Sequence, residues 1–90
     1  MKKCIVTVVG KDSVGIIARV CTYLAENRIN ILDINQTIVQ DYFNMMMVVD
    51  VSGIEKKFSE IHSELEELGK NMGLEIRFQR EEIFDAMHRI

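Results

Sequence analysis

The sequence has no proline and no tryptophan, and only two of its 90 residues, Cys4 and Cys21, are cysteines. Because no proline-rich or low-complexity tract divides the chain, its length predicts a single domain. The cysteines form no CxxC pair, which excludes the usual thiol redox and zinc motifs. Both lie in apolar, periodic segments. We therefore expect two free thiols in a reducing compartment, which places the protein in the cytoplasm.

A concentration of positive charge is also missing. The chain has 11 lysines and arginines against 14 acidic residues, a formal net charge of −3. A phosphate backbone needs several cations on one surface, so nucleic acid is not an expected partner. No apolar run approaches the length of a membrane-spanning helix, so we expect no membrane partner either.

Hydrophobic residues, by contrast, make up 48% of the chain. A domain of this size buries only about two-thirds of the surface that its unfolded chain exposes. Part of the apolar surplus must then be covered by something else. A second copy of the chain is the simplest cover, and we expect a homodimer.

The first third of the chain predicts a strand and a helix. Residues 3–9 are mainly apolar and β-branched and end at Gly10, which is typical of a central strand buried on both faces. After a short loop, apolar residues recur at helical spacing until Asn27, near which the helix should end. They are Val14, Ile17, Val20, Cys21 and Leu24. We expect Asp12 or Ser13 to cap this helix.

Two strands follow, separated by a turn at Gln40 and Asp41. In the first strand, from Ile29 to Val39, one face should carry Leu32, Ile34 and Ile38, and the other Asp33, Asn35 and Thr37. The second strand alternates strictly, and its apolar set is Phe43, Met45, Met47, Val49 and Val51. Its opposite face is only half polar.

The last third predicts a long helix, a strand and a terminal helix. Ser52 and Glu55 have the spacing of a capping box, so the long helix should begin there and end at Gly73. Its apolar stripe is Phe58, Ile61, Leu65, Leu68 and Met72. The strand that follows alternates Leu74, Ile76 and Phe78 with polar residues. A last apolar group at helical spacing comprises Ile83, Phe84, Met87 and Ile90.

The order β-α-β-β-α-β predicts an α+β fold of the ferredoxin-like kind. We expect a four-stranded antiparallel sheet with two helices on one face, where right-handed crossovers place them. Residues 1–80 should form this domain, and residues 81–90 a short C-terminal helix. That helix should cover the open face of the sheet, in the same subunit or its mate, at Val6, Val8, Met46 or Val48.

Motifs for catalysis, metals and phosphate are absent from the sequence. Residues 10–15 have the glycine spacing of a P-loop, but Ile16 and Ile17 occupy the positions of its lysine and Ser/Thr. His62 and Glu66 have the spacing of two metal ligands on a helix, but such a pair is more often a solvated helix face. No nucleophile and base can be paired. We therefore expect no enzyme, no metal and no cofactor.

Two motifs point to a family. The first is Thr7–Val20, TVVGKDSVGIIARV, and the second is Leu24–Ile34, LAENRINILDI. With them, the segment from Ile5 to Ile34 resembles an ACT domain, the regulatory amino-acid-binding module of many metabolic enzymes. Members of that family typically show Asp-x-Pro-Gly in the first loop and Asn-Ile opening the second strand. The whole chain is similar to a family of small stand-alone ACT proteins of bacteria and archaea.

The present chain departs from the loop motif at Val14, which occupies the proline position of Asp-x-Pro-Gly. Proline there presets the backbone, so valine leaves the loop freer and implies a modest affinity. The resemblance implies a pocket in which the loop of one subunit faces the second strand of another. A dimer is then needed to form the site.

The residue chemistry of this loop suits a small zwitterion. The N–H groups at the start of the first helix suit a carboxylate, and Gly15 lets a ligand approach the backbone. Oxygens of Asp12 and Asn30 suit an ammonium group. Each residue also has a structural explanation, Asp12 as a helix cap, Gly15 in close packing and Asn30 in a turn. The predicted ligand-binding residues are Gly10, Asp12, Ser13, Val14, Gly15, Ile16, Asn30, Ile31 and Asp33.

The sequence thus predicts a non-catalytic regulatory module that binds a small ligand, an amino acid being expected, at a homodimer interface. One alternative is an adaptor that dimerises or docks on a metabolic enzyme and binds no small molecule. Another is a detached regulatory piece of something like formyltetrahydrofolate deformylase, whose N-terminal region looks similar, acting in trans.

Overall fold

The computed structural model describes residues 2–11 and 14–83, whose helices and strands follow the order β-α-β-β-α-β. The strands are β1 (Lys3–Lys11), β2 (Asn30–Val39), β3 (Tyr42–Asp50) and β4 (Leu74–Arg80), and the helices are α1 (Ile16–Glu26) and α2 (Phe58–Met72). Residues 81–83 are helical. The rest of the predicted C-terminal helix lies outside the described residues, so the division of the chain near residue 80 stays a prediction.

The four strands form one sheet in the order β2-β3-β1-β4, and every neighbouring pair is antiparallel. This topology confirms the predicted ferredoxin-like α+β fold. The strand register defines two ends of the sheet. The row Lys11, Tyr42 and Val39 marks the end from which residues 12–15 continue, here named the loop end, and the row Lys3, Asp50 and Asn30 marks the opposite end.

The core lies between the sheet and the helices. The strict alternation predicted for β3 is confirmed, since its apolar set is buried and the residues between are more exposed. The fully buried large side chains of the two helices are Ile16, Val20 and Leu24 on α1 and Ile61 and Leu65 on α2. The α1 stripe is therefore built on Ile16, whereas Val14 is fully exposed and Ile17 is 38% exposed. The predicted end of α1 is confirmed at Asn27, its C-cap.

Two residues predicted on the open face of the sheet belong to this core instead. Val6 lies opposite Met47 and Val8 opposite Met45, on the side where the helices pack. Both valines are completely buried, so no terminal segment can cover them from the open face. The central open-face residues are Ile5, Thr7, Met46 and Val48. The error arose because β1 is apolar on both faces, so its pattern did not show which face meets the helices.

The start of α2 also differs from its prediction. Lys57, not Ser52, is the N-cap residue, and its backbone N–H donates to Glu60 Oε1 at 3.2 Å. Ser52 stabilises the preceding turn, because its hydroxyl donates to Asp50 Oδ1 at 2.6 Å and accepts the Lys2 N–H at 3.1 Å. The local turn contacts thus use the serine that the sequence pattern assigned to the helix. The end of α2 is as predicted, with Gly73 at φ 71°.

Strand β2 has no buried residue along its ten positions. Ile34 and Ile38 lie on the helix-facing side, opposite Met47 and Phe43, yet they are 44% and 55% exposed. The register shifts between Ile31 and Asp33, so Leu32 sits in a bulge and does not share a regular face with the isoleucines. The apolar pattern predicted the strand correctly, but a single copy of the chain does not cover it.

Within residues 2–11 and 14–83, no helix is long and apolar enough to cross a membrane. Both cysteines are free, with Cys4 buried and Cys21 half-buried. Burial raises the pKa of each thiol, which keeps the thiols protonated at neutral pH.

Candidate functional site

The predicted site residues fall into two groups at opposite ends of the sheet. Gly10, Val14, Gly15 and Ile16 belong to the loop end, where β1 leads into α1. Asn30 lies at the other end, eight residues along β3 from the loop-end row. At about 3.4 Å per residue, the two rows are about 27 Å apart. One chain alone therefore does not bring the two groups together.

Within residues 2–11 and 14–83, no side chain accepts a hydrogen bond from the backbone donors at the start of α1. Gly15 is the N-cap residue, and no acidic residue lies in the first turn of the helix. The Gly15 carbonyl accepts the Arg19 N–H at 3.0 Å, which closes the first helical turn. The N–H groups of Ile16, Ile17 and Ala18 precede that bond, so they have no carbonyl partner within the helix. With the helix dipole, these donors suit an anion.

The backbone of Gly15 explains why glycine occupies this position. Its φ of 89° lies in the left-handed region, where other residues are strained. A Cβ atom built there would meet no described atom within 4 Å, so the space above it is open. Conformation, and not close packing, therefore requires the glycine. The open space leaves the backbone accessible to a ligand.

The other loop-end residues have different roles. Ile16 is 2% exposed and its side chain belongs to the core, so only its backbone N–H can serve a ligand. Gly10 packs on the next strand, since a Cβ there would lie 2.5 Å from Leu74 Cδ2. Val14 is fully exposed. Asp12 and Ser13 lie outside the described residues. Because Gly15 occupies the N-cap position of α1, the prediction that Asp12 or Ser13 would occupy it was wrong.

The strand group lies at the start of β2. Asn30 is exposed and opposite Asp50, and Ile31 is half-buried against the core. Asp33 follows the bulge, and its Oδ1 accepts the Ile34 N–H at 2.9 Å. That bond uses one lone pair of the carboxylate, and Asp33, like Asn30, is exposed, so either side chain can accept a hydrogen bond from an ammonium group.

A polar groove of about 590 Å³ lies between the two helices, away from the predicted site. The Tyr23 hydroxyl donates to Glu64 Oε1 at 2.7 Å, and Lys56 Nζ lies 2.8 Å and 3.0 Å from the two Glu64 oxygens. These donors lower the pKa of Glu64. Burial and the bond to Glu64 raise the pKa of Tyr23. The Tyr23–Glu64 bond joins α1 to α2, and Lys56, which precedes α2, binds the same carboxylate, so the network is structural.

The sequence did not identify two of the candidate donors, Ile17 and Ala18. Their side chains give no functional signal, since only the backbone N–H groups matter. Gly15 was the available sign. A residue in the left-handed region cannot be part of a right-handed helix, so α1 has to begin after Gly15. No group of three His, Cys, Asp or Glu side chains that could hold a metal is present in the described part of the chain.

Comparison with known protein families gives a match to the ACT domain over residues 2–79. The chain is 59% identical to a UPF0237 protein of Bifidobacterium longum over 90 residues, covering both chains completely. It is 50% identical to a UPF0237 protein of the archaeon Methanococcus maripaludis, again over the full length of both. The predicted resemblance to small stand-alone proteins of bacteria and archaea is thereby confirmed.

Solved structures show the same fold. An ACT domain protein from Streptococcus pneumoniae superposes with a TM-score of 0.81 at 42% identity, covering 97% of this chain and 98% of that one. A formyltetrahydrofolate deformylase from Pseudomonas putida has a TM-score of 0.77 at 15% identity. The match covers 86% of this chain but 28% of the deformylase, so the likeness is one of fold to a part of that enzyme.

Proposed function

The chain belongs to the ACT-domain family, and from that premise we propose that it is a non-catalytic regulatory module in the cytoplasm. Its ligand would be a small zwitterion, an amino acid being the expected class, bound between two copies of the chain. The observation that carries the proposal is the start of α1, where the first N–H groups have no partner among residues 2–11 and 14–83 and the Gly15 backbone is open.

The edge strand β2 supports the homodimer. Two β2 strands that pair antiparallel about a two-fold axis would place Asn30 of one copy beside Val39 of the other. Val39 lies in the loop-end row, and the connection from β1 through α1 to β2 crosses over β3. Because α1 follows β1 at this end of the sheet, the pairing would bring Asn30 of one copy to the end of the sheet where α1 of the other copy begins. The same pairing would cover the exposed side chains of Leu32, Ile34, Ile38 and Val39.

In this arrangement the ligand carboxylate would accept hydrogen bonds from the amides of Ile16, Ile17 and Ala18. Its ammonium group would lie between Asp12 of the same copy and the Asn30 side-chain oxygen of the other. A charge-assisted hydrogen bond of this kind contributes about 1.5–3 kcal/mol. The affinity should be modest, because Val14 in place of proline leaves the loop to be ordered on binding.

The adaptor function uses the same β2 edge but no ligand. The exposed apolar side chains of β2 favour it as much as they favour the dimer, since an edge strand can also pair with a metabolic enzyme. The open backbone at Gly15 is the feature that an adaptor does not need. Ligand binding, and not dimerisation, therefore separates the two functions.

The test is a titration of the uniformly ¹⁵N-labelled protein with each of the twenty amino acids at millimolar concentration. We expect saturable amide shifts at residues 14–18 and at Asn30 and Ile31. Asp12→Asn and Asn30→Ala should weaken binding, whereas Asn71→Ala, on the exposed surface of α2, is the matched control. If no amino acid produces such shifts while the protein still dimerises, the adaptor function is favoured.

Gly15→Val is a poor test, because φ of 89° strains any side chain there whether or not a ligand binds. Sedimentation equilibrium should accompany the titration. A purely monomeric 10.4 kDa species at micromolar concentration would contradict the shared site.

A further inference from the structure

The opposite end of the sheet carries a second cavity, of about 940 Å³. It lies where the start of β1, the segment 51–56, the start of α2 and the end of β4 meet. Lys2, Lys3 and Arg80 supply positive charge around it, and Val51, Ile54 and Phe58 supply apolar surface. This cavity is separate from the start of α1, which lies beyond the other end of β1.

The charges around this cavity are unbalanced in an otherwise acidic protein. Among residues 2–11 and 14–83, no carboxylate lies within 4.0 Å of the charged nitrogens of Lys2, Lys3 or Arg80. Lys56 also lines the cavity, but both oxygens of Glu64 bind its ammonium group. Two further lining residues, Glu81 and Glu82, are acidic. The lining still has net positive charge, whereas the whole chain has −3.

The backbone near Lys2, on the positively charged side of the cavity, is held in place by hydrogen bonds within the domain. Ser52 receives the Lys2 backbone N–H and donates to Asp50, so the start of β1 is tied to the turn after β3. Val51 donates its N–H to the Lys2 carbonyl at 2.9 Å. The hydroxyl and the backbone N–H of Ser52 both donate to the Asp50 carboxylate, and these two bonds lower the pKa of Asp50. The backbone that carries Lys2 is therefore fixed before any ligand arrives.

Arg80 is positioned by an aromatic stack. The rings of Phe58 and Phe78 lie 4.6 Å apart at 21°, and Arg80 Cζ lies 5.1 Å from the centroid of Phe58. A guanidinium over an aromatic ring is attracted to the face of the ring, and its N–H groups can still bind an oxyanion. Arginine binds carboxylates and phosphates through two parallel hydrogen bonds. The stack thus limits the side-chain motion that binding would otherwise have to stop.

We propose that this cavity binds a small multivalent anion, either a phosphate monoester or a polycarboxylate. Arg80 would bind one oxyanion group in a bidentate manner, and Lys2 and Lys3 would neutralise the remaining charge. The apolar body of the ligand would contact Val51, Ile54 and Phe58. Glu81 and Glu82 would oppose binding and select against weakly charged ligands. The site belongs to each single copy and does not depend on the proposed dimer or its zwitterion.

The experiment uses the full chain and two probes, inorganic phosphate and citrate, with sodium chloride added to hold the ionic strength constant. We expect saturable amide shifts at residues 2–4, 51–56 and 80–82 with at least one probe. A response to phosphate alone assigns the phosphate class, and a response to citrate alone assigns the polycarboxylate class. The absence of saturable shifts with both probes would overturn the proposal.

Variants separate a site from general charge attraction. Arg80→Gln should weaken binding about tenfold or more, because a charge-assisted pair is lost. Arg77→Gln is the matched control, since Arg77 lies on the same strand but binds Glu75 at 2.8 Å. Glu82→Gln should strengthen binding, because it removes a negative charge from the cavity lining. A purely structural role of the residues around the cavity would not produce that increase. Equal losses in the two arginine variants, with both melting temperatures unchanged, would contradict the proposed site.

Discussion

The two edge strands of the sheet, β4 and β2, differ in whether the same chain buries their apolar side chains. On β4, Leu74, Ile76 and Phe78 are buried under α2. The helix approaches so closely that a Cβ at Gly69 would lie 2.8 Å from the Leu74 carbonyl oxygen. The outward residues Glu75 and Arg77 pair with each other at 2.8 Å. A helix of the same chain therefore covers the apolar side chains of β4.

Strand β2 is longer and equally apolar in pattern, yet none of its residues is buried. The bulge at Leu32 is the only irregularity in its pairing with β3. An edge strand with exposed isoleucines and free backbone groups readily pairs with another strand. The comparison teaches that period-2 apolar patterning marks a surface for burial without specifying whether the same chain supplies the cover.

The largest effect is expected at β4, the edge strand that α2 covers. Phe78→Ala removes a side chain that is 2% exposed and stacked on Phe58. We expect the free energy of unfolding to fall by about 3–5 kcal/mol, because a cavity replaces the ring. Urea unfolding followed by circular dichroism measures it. A loss below about 1 kcal/mol would show that β4 contributes no more packing than an exposed strand.

The next largest effect is expected at β2, the edge strand whose side chains stay exposed. Ile34→Lys places a charge at the helix-facing side of β2, where a second β2 would bury it. We expect dimerisation to weaken by about 3 kcal/mol, while the stability of the single domain changes by under about 1 kcal/mol. Sedimentation equilibrium and urea unfolding separate the two quantities.

Ser63→Lys is the control for this variant, since it adds the same charge on an exposed part of α2. It should leave association unchanged. Unaltered dimerisation of Ile34→Lys would exclude β2 as the interface.

A smaller effect is expected from the segment that follows β4. We propose that residues 84–90 cover the open face of the sheet, where Met46 is 42% and Val9 43% exposed. Ending the chain after Ile83 should then cost about 1–2 kcal/mol after the entropy of ordering the segment is subtracted. Differential scanning calorimetry should show a melting temperature lower by roughly 4–15 °C. A truncated chain that melts with the full one would show that this segment has another role.

The smallest effect tests a contact within the helix layer, which covers β4 but leaves β2 exposed. Hydrogen bonds from Lys56 and Tyr23 lower the pKa of Glu64 in the folded protein. Their contribution to stability is therefore present above the unfolded pKa of a glutamate, about 4.3, and is lost as the pH falls through the lower folded value.

Glu64→Gln should be less stable than the unmodified chain at pH 7 and should match it more closely in acid. Unfolding by urea between about pH 2.5 and 7, a range that spans the ordinary glutamate pKa of about 4.3, measures this difference. Tyr23→Phe removes only one donor and should give a smaller change of the same sign. Parallel pH profiles for Glu64→Gln and the unmodified chain would contradict the assigned pairing.

Much of the fold could be predicted from local patterns. The alternation from Phe43 to Val51 specifies which face of β3 is buried, because side chains on a strand point to opposite sides. The positive φ of Gly73 ends α2 for a reason that is local to one residue. The start of α2 could not be predicted in the same way, since Ser52 has competing partners in Asp50, two residues before it, and in Lys2, which lies next to it only after β1 and β3 pair.

The candidate site likewise has some features that the sequence predicted and others that only the tertiary structure determines. The sequence alone specified a glycine loop before a helix and a polar start to the second strand, because both are features of a few consecutive residues. Only the tertiary structure decided that Gly15 is the N-cap, that the Ile16 side chain belongs to the core, and that the loop and Asn30 lie about 27 Å apart at 3.4 Å per strand residue. Strand partners and the burial of each helix residue depend on contacts between residues distant in sequence, so a local pattern alone does not determine them.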